Sequence, residues 1–199
     1  VLVGPDHLPD LEPVDDGGPM QLVRSVAEVG DTNAEALYFL ALACARERVD
    51  LTAAYFAPRP AFIDALCEAA GRGVEVRVLV PGPHIDKEFV RVAGRAAYEQ
   101  LLRGGVRIFE YQPTMLHAKT LSVDGAWASV GSVNFDNRSF QLHDEVTLCV
   151  QSETFAGLLH DQFERDLEVS EEMHLGRFRR RPLHHRAGEQ ALRLARREL

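Results

Sequence analysis

Two helix patterns that end at glycine, each followed at once by a short apolar run, constrain the fold of this chain most. The periodic stretch 60–71 ends at Gly71, before the run VEVRVLV, and the stretch 87–103 ends at Gly104-Gly105, before VRIFEY. Glycine ends helices because it adopts the left-handed conformation there without steric cost. Apolar runs of this length are typical of buried strands. The alternation predicts an α/β fold whose central portion is largely parallel.

A different pattern follows this region. Asp124-Gly125 lies between two predicted strands at 118–123 and 127–130. Both residues tolerate positive φ, so the dipeptide predicts a β-hairpin. The other predicted elements are strands at 20–29, 49–56 and 146–150, and helices at 33–48 and 153–168.

Composition divides the chain into three parts. Residues 1–19 are rich in Pro, Gly and Asp without periodicity, which is typical of a linker. Residues 20–170 hold all the predicted elements, and we expect them to form one domain with a buried core. Residues 171–199 are expected to form a basic C-terminal tail. The sequence has no apolar run of the length needed to span a bilayer.

The net charge of −8 is unevenly distributed. Residues 177–199 carry eight arginines and two glutamates, or +6, which leaves −14 for residues 1–176. An acidic body makes nucleic acid an unlikely partner, whereas a basic tail is attracted to anionic surfaces. As a helix, the tail would place Leu192 and Leu194 opposite Arg193 and Arg196, which suits an anionic lipid surface. A solvated basic helix, a disordered end and a nucleic-acid-binding tail are the alternatives.

The candidate site is the run LHAKTLSVD with the GSVN that follows it. On an extended strand, residues two apart share a face, so His117 lies beside Lys119, and Ser132 lies beside Asn134. An imidazole supplies a nucleophile or a general acid. Fixed donors from Lys119, Ser132 and Asn134 would stabilise negative charge on phosphate oxygens. This set suits attack on a phosphodiester.

Each of these residues also has a simpler interpretation. His117 alone would be a polar surface residue, and Asp124 is explained by its hairpin position. Ser132 is explained by a turn after Gly131. The four residue types at these spacings, taken together, favour the functional interpretation.

His117, Lys119 and Asp124 spell His-x-Lys-x4-Asp, which resembles the signature of the phospholipase D superfamily. The flanking segments YFAP at 55–58, LVPG at 79–82 and GSVNFDNRSFQLHDEV at 131–146 resemble those of bacterial cardiolipin synthases. The resemblance implies a phospholipase D-type layered α/β/α lobe, in which helices flank a central mixed, largely parallel sheet. It implies neither a metal nor a cofactor.

The resemblance also implies residue roles. The catalytic set would be His117, Lys119, Asp124 and Glu145, with Lys119, Ser132 and Asn134 binding the substrate phosphate. Glu145 would accept a hydrogen bond from the catalytic imidazole and fix its tautomer. In this family the motif Asp is considered more structural than chemical, which agrees with a hairpin at Asp124.

The motif occurs once, whereas most relatives build one active site from two copies. We therefore expect the partner to be a second His-x-Lys-x4-Asp lobe upstream in a longer chain, or a homodimer mate. The expected activity is phosphatidyl transfer on a phosphatidylglycerol-like lipid through a phosphohistidine, at the cytoplasmic face of the membrane. His117 is either the nucleophile or the acid–base group, and related two-motif enzymes favour the second. A homodimeric phosphodiesterase or nuclease and a non-catalytic scaffolding lobe are the alternatives.

Overall fold

A computed structural model describes residues 18–26, 31–136, 139–140 and 143–181. The strands described there are Met20–Ser25 (β1), Arg48–Ala53 (β2), Glu75–Pro81 (β3), Arg107–Tyr111 (β4), Lys119–Val123 (β5), Trp127–Gly131 (β6), Glu145–Gln151 (β7) and Ser170–Met173 (β8). The named helices are Asn33–Cys44 (α1), Pro60–Gly71 (α2), Glu88–Arg103 (α3), Glu153–Glu168 (α4) and Leu175–Arg179 (α5). The strands form one sheet in the order β1-β7-β6-β5-β2-β3-β4-β8.

Helices cover both faces of this sheet. Successive residues of a strand face opposite sides, and β3 shows this with Val78 and Leu79. Val78 joins the core under α1, α2 and α3, whereas Leu79 packs with Phe163 of α4. The predicted layered α/β/α fold is therefore confirmed. Among the described helices, none is both long and apolar enough to cross a bilayer.

The sheet is mixed, as expected, and its parallel portion is formed by the alternating strands β2, β3 and β4 but does not extend to the rest of the sheet. Within the described residues, only the β2–β3 and β3–β4 pairs are parallel, and every other ladder is antiparallel. A parallel pair needs a long crossover connection, and α2 and α3 supply one each. The β5–β6 hairpin turns at Asp124 and Gly125 as predicted, and it makes an antiparallel pair instead.

The folded domain continues past residue 170, where the sequence predicted a tail. Strand β8 pairs antiparallel with β4, and the Arg107 guanidinium donates to Glu172 at 2.9 and 3.1 Å. Phe178 of α5 is buried. The remainder of the predicted tail, 182–199, and the predicted linker up to residue 17 lie outside the described residues, as does the expected lipid-facing helix.

Most of the candidate residues lie at one edge of the sheet, where strands β2 and β6 end and strands β5 and β7 begin. Strand β2 ends there, and β5 runs antiparallel to it, with Lys119 opposite Ala53. Strand β6 ends at the same edge and β7 begins there, with Gly131 opposite Thr147. A Cβ at Gly131 would lie 2.4 Å from the Val146 carbonyl oxygen, so only glycine permits this close approach. Strand direction alone thus brings distant parts of the sequence together.

Candidate active site

His117 lies just before β5 with its side chain exposed at the surface. The buried Leu116 anchors the segment beneath it. The imidazole meets the Tyr55 ring edge-on, with 5.9 Å between ring centroids and 82° between ring planes. The structure therefore presents an accessible imidazole whose orientation is set by one aromatic neighbour.

Lys119 is half-buried beside it, and its Nζ donates a hydrogen bond to the His117 carbonyl oxygen at 3.0 Å. Desolvation lowers the pKa of the Lys119 ammonium, while the carboxylates of Glu145, Asp136 and Asp86 act in the opposite direction. Partial burial strengthens the interaction of a charge with a nearby anion, because less water screens it. Lys119 is thus placed to attract a phosphate group near His117.

Ser132 and Asn134 follow β6 at the same edge. The Ser132 hydroxyl donates to Glu145 and accepts from the Val146 N–H at 3.0 Å. The buried Asn134 amide accepts from the Tyr55 N–H at 3.2 Å and donates to the Ser139 hydroxyl at 3.4 Å. These contacts tie the loop after β6 to the end of β2 and fix both side chains.

Glu145 is buried, but its partner differs from the expected one. The carboxylate accepts from the Ser132 hydroxyl, and Oε1 lies 3.8 Å from Nδ1 of His143. In the described parts of the chain, no hydrogen bond joins Glu145 to the His117 ring, which faces Tyr55 instead. The first residue of β7 is nearer to the end of β6 than to the start of β5, because β6 lies between β7 and β5.

Asp124 lies at the opposite end of β5, so the structure does not bring it to this cluster. Its carboxylate accepts three backbone N–H bonds at 2.8 to 2.9 Å, from Arg46, Glu47 and Arg48. Desolvation acts to raise the pKa of Asp124, but these N–H groups prevail and lower it. The residue has φ +53°, in the left-handed region that Asp tolerates. These contacts give Asp124 a turn-forming position, which agrees with the more structural role that the resemblance implies for the motif Asp.

Further residues complete the site. The Tyr55 hydroxyl donates to the Asp86 carboxylate at 2.7 to 2.9 Å, and the Lys87 Nζ lies 5.0 Å from the Tyr55 ring centroid. Desolvation, followed by the bond to Asp86, raises the pKa of Tyr55 to about 12. A cavity of about 130 Å³ adjoins them, lined by Tyr55, Ala57, Lys87, Phe89, Val90, Asn134, Asp136 and His143.

The sequence analysis missed Lys87, although the scarcity of lysine in this chain could have pointed to it. Of the 22 basic residues, only Lys87 and Lys119 are lysines, and both contact residues of this site. The described residues contain no group of three or more His, Cys, Asp or Glu side chains that could hold a metal ion.

The comparisons with known proteins agree with this fold and motif. The family model described as the cardiolipin synthase, PLD-like domain matches residues 39–167. Cardiolipin synthase 2 of Bacillus anthracis is 38% identical over 177 residues, covering 89% of this chain and 34% of that protein. The chain therefore belongs to the phospholipase D-like domain family of cardiolipin synthases. It spans about a third of the length of that relative.

Solved structures share the fold at low sequence identity. Phosphatidylserine synthase of Haemophilus influenzae superposes with a TM-score of 0.70 at 12% identity, covering 89% of this chain and 47% of that one. Nuc, a phospholipase D family member from Salmonella typhimurium, gives a TM-score of 0.64 at 18% identity, covering 78% of this chain and 97% of that one.

Proposed function

We propose that this chain is one catalytic lobe of a cardiolipin synthase-like phosphatidyltransferase. The observation that supports this most directly is the meeting of His117, Lys119, Ser132 and Asn134 at one edge of the sheet. The imidazole can act as nucleophile or acid, and the Lys119 ammonium and the Asn134 amide can donate to phosphate oxygens. The Ser132 hydroxyl donates to Glu145 and holds the loop after β6 in place. Membership of the family supports a phospholipid substrate, and we propose that this lipid resembles phosphatidylglycerol.

The proposed reaction has two steps. An imidazole nitrogen attacks the phosphorus of one phosphatidylglycerol, so that a P–N bond forms while the bond to the glycerol oxygen breaks. A second imidazole, from a partner lobe, gives the leaving glycerol oxygen its proton. A hydroxyl of another phosphatidylglycerol then loses its proton to that second imidazole and attacks phosphorus. The P–N bond breaks, which releases cardiolipin and regenerates the first imidazole.

The two imidazoles come from two lobes in this proposal. His117 is exposed, which suits a group that meets a partner across an interface. We propose that the partner is a second lobe of a longer chain, and the coverage of about a third of the B. anthracis relative is compatible with this. We assign His117 the acid–base role, as related two-motif enzymes suggest, and we place the enzyme on the cytoplasmic face of an anionic membrane.

A homodimer is the second candidate. The single-lobe size of Nuc favours it, since this fold covers 97% of that chain. Two copies of His117 would then face each other across a two-fold axis. The acidic body of the chain makes a lipid phosphodiester a better substrate than nucleic acid.

The test is an assay of the longest natural protein that contains this chain, with phosphatidylglycerol vesicles and a chelator present. We expect cardiolipin and glycerol in equal amounts, and no product with His117→Ala. Digests quenched with denaturant at alkaline pH, where the acid-labile P–N bond survives, and analysed by mass spectrometry identify which histidine carries the phosphatidyl group. Loss of activity on chelation would contradict the metal-free mechanism, and an active His117→Ala protein would contradict the site.

A further inference from the structure

A second polar cavity lies on the same face of the sheet as Lys119 but away from the catalytic cluster. It has a volume of about 310 Å³ and lies among α3, β4, β8 and α5. Strands β2 and β3 lie between β4, which borders the cavity, and β5, which carries Lys119. Because neighbouring strands are about 4.8 Å apart, β4 and β5 are separated by roughly 14 Å. None of the catalytic candidates lines it.

Four arginines line this cavity, and a buried carboxylate orients two of them. Glu110 is only 3% exposed, and it contacts Arg91 at 3.1 Å and Arg95 at 3.6 Å. One carboxylate thus lies between two guanidinium groups on successive turns of α3. Such pairing holds both side chains in place before any ligand binds, and the guanidinium fork is the side chain best matched to phosphate.

Phe178 contacts two of the arginines that line the cavity. The Arg181 guanidinium lies 3.2 Å from the Phe178 ring centroid, and the Arg95 guanidinium lies 6.0 Å from it. The Arg181 Nε also donates to the Phe178 carbonyl oxygen at 2.8 Å. A single buried ring therefore brings two cations to one wall, where an anion would relieve their mutual repulsion.

The charge balance of the lining favours an anion. Its four arginines face three glutamates, a net charge of +1, although the whole chain carries −8. Glu171 pairs with the lining arginine Arg177 at 2.5 Å, whereas Glu172 pairs with Arg107, which lies outside the lining, at 2.9 Å. Among the lining arginines, Arg91 also contacts Glu88 outside the lining at 3.0 Å. His174 also lines the cavity.

We propose that this cavity binds a phosphate group, carried by a lipid headgroup or by a soluble phosphate ester. The site is separate from the catalytic cluster, so it does not depend on the proposed reaction. A lipid phosphate held here would seat the lobe on an anionic surface with the catalytic edge of the sheet nearby.

The test compares two double variants of the full chain that remove equal charge. Arg177→Gln/Arg181→Gln changes the cavity, whereas Arg103→Gln/Arg179→Gln changes two arginines that pair with Glu99 outside it. Binding is measured with vesicles of phosphatidylglycerol or phosphatidylcholine by co-sedimentation, and with glycerol phosphate and inorganic phosphate by titration calorimetry. Circular dichroism checks that both variants fold.

We expect the cavity variant to bind its ligand about tenfold more weakly than the control variant, since each lost charge-assisted hydrogen bond weakens binding. A difference confined to vesicles identifies a lipid headgroup, and a difference with the soluble esters identifies a free phosphate ester. Equal weakening in both variants, or no binding in any arm, would overturn the proposal. Should the cavity variant not fold, Arg95→Lys replaces it, because the charge beside Glu110 remains while the planar fork is lost.

Discussion

At the start of β5, His117 is exposed and Lys119 is half-buried beside three carboxylates. At the other end of the same strand, the Asp124 carboxylate is held by three backbone N–H groups at a tight turn. One sequence signature spans both ends. The first end keeps an exposed imidazole available for a ligand, whereas the carboxylate at the second end accepts its three hydrogen bonds from the backbone of the fold.

This difference shows that spacing in a motif does not mean proximity in space. A strand rises about 3.3 Å per residue, so the seven residues from His117 to Asp124 separate their Cα atoms by roughly 20 Å. The motif is therefore two sites joined by a strand. Substitutions at one end should change chemistry, and those at the other should change stability.

The largest expected effect is at His117. His117→Ala should lower transfer activity by about 10⁴-fold or more, because no other described group at this edge offers an imidazole in the same position. The exposed side chain contributes little to packing, so the free energy of unfolding should change by less than about 0.5 kcal/mol. Initial rates of cardiolipin formation and urea unfolding measure the two quantities. If His117→Ala unfolds so much of the protein that the loss of folded enzyme accounts for the loss of activity, the chemical role would be contradicted.

Lys119 should have the next largest effect. Lys119→Met removes the cation beside the phosphate, and we expect a loss of about 10²- to 10³-fold in kcat. Lys119→Arg is the matched control, which keeps the charge and should lose less. Equal losses of kcat in the two variants would show that the reaction depends on the shape of the Lys119 side chain rather than on its charge.

Substitutions of Ser132 and Glu145 test the hydrogen bond that holds the loop after β6 in place. Ser132→Ala leaves the buried Glu145 carboxylate without the hydroxyl that contacts it, so the free energy of unfolding should fall by about 1–3 kcal/mol. Glu145→Gln removes the charge that makes this loss costly. A double-mutant cycle should therefore show coupling of about 1 kcal/mol. Additive effects of the two changes would contradict the contact.

Asp124 gives the smallest effect on activity and a pH-dependent effect on stability. Its pKa is lowered on folding, so its ionised form stabilises the protein above the unfolded-state value of about 3.9. That contribution is lost as the pH falls through the lower folded-state pKa. Asp124→Asn, which still tolerates positive φ, should cost about 1–2 kcal/mol at pH 7 and progressively less below pH 4. Urea unfolding from pH 7 to pH 2.5 measures this, and a pH-independent difference would contradict it.

Elements with a local sequence signal were predicted most successfully. The two predicted helix ends were confirmed, and each is followed by a glycine with positive φ, Gly73 or Gly105. The predicted turn at Asp124-Gly125 was also confirmed, and both of its residues have positive φ. Strand β8 was missed because SEEM has no apolar alternation, and its pairing depends on β4, some 60 residues away in sequence.

The same rule holds for the candidate site. The alternation of side chains along a strand is a local property, and it predicts His117 beside Lys119 and Ser132 beside Asn134. Which strand ends converge is a property of the whole sheet, so the contact of Tyr55 with His117 could not be predicted from the sequence. The pairing of Ser132 with Glu145 could not be predicted for the same reason.

The most direct measurement compares His117→Asn with Asp124→Asn in the longest natural protein that contains this chain, at a temperature where both are fully folded. The transfer of phosphatidyl groups to phosphatidylglycerol is followed by lipid mass spectrometry. The two-site interpretation of the motif predicts that Asp124→Asn retains a rate within about fivefold of the wild type, because its cost falls on folding and not on the reaction. His117→Asn should form no detectable cardiolipin. Equal inactivation of the two folded proteins, or activity in His117→Asn, would contradict it.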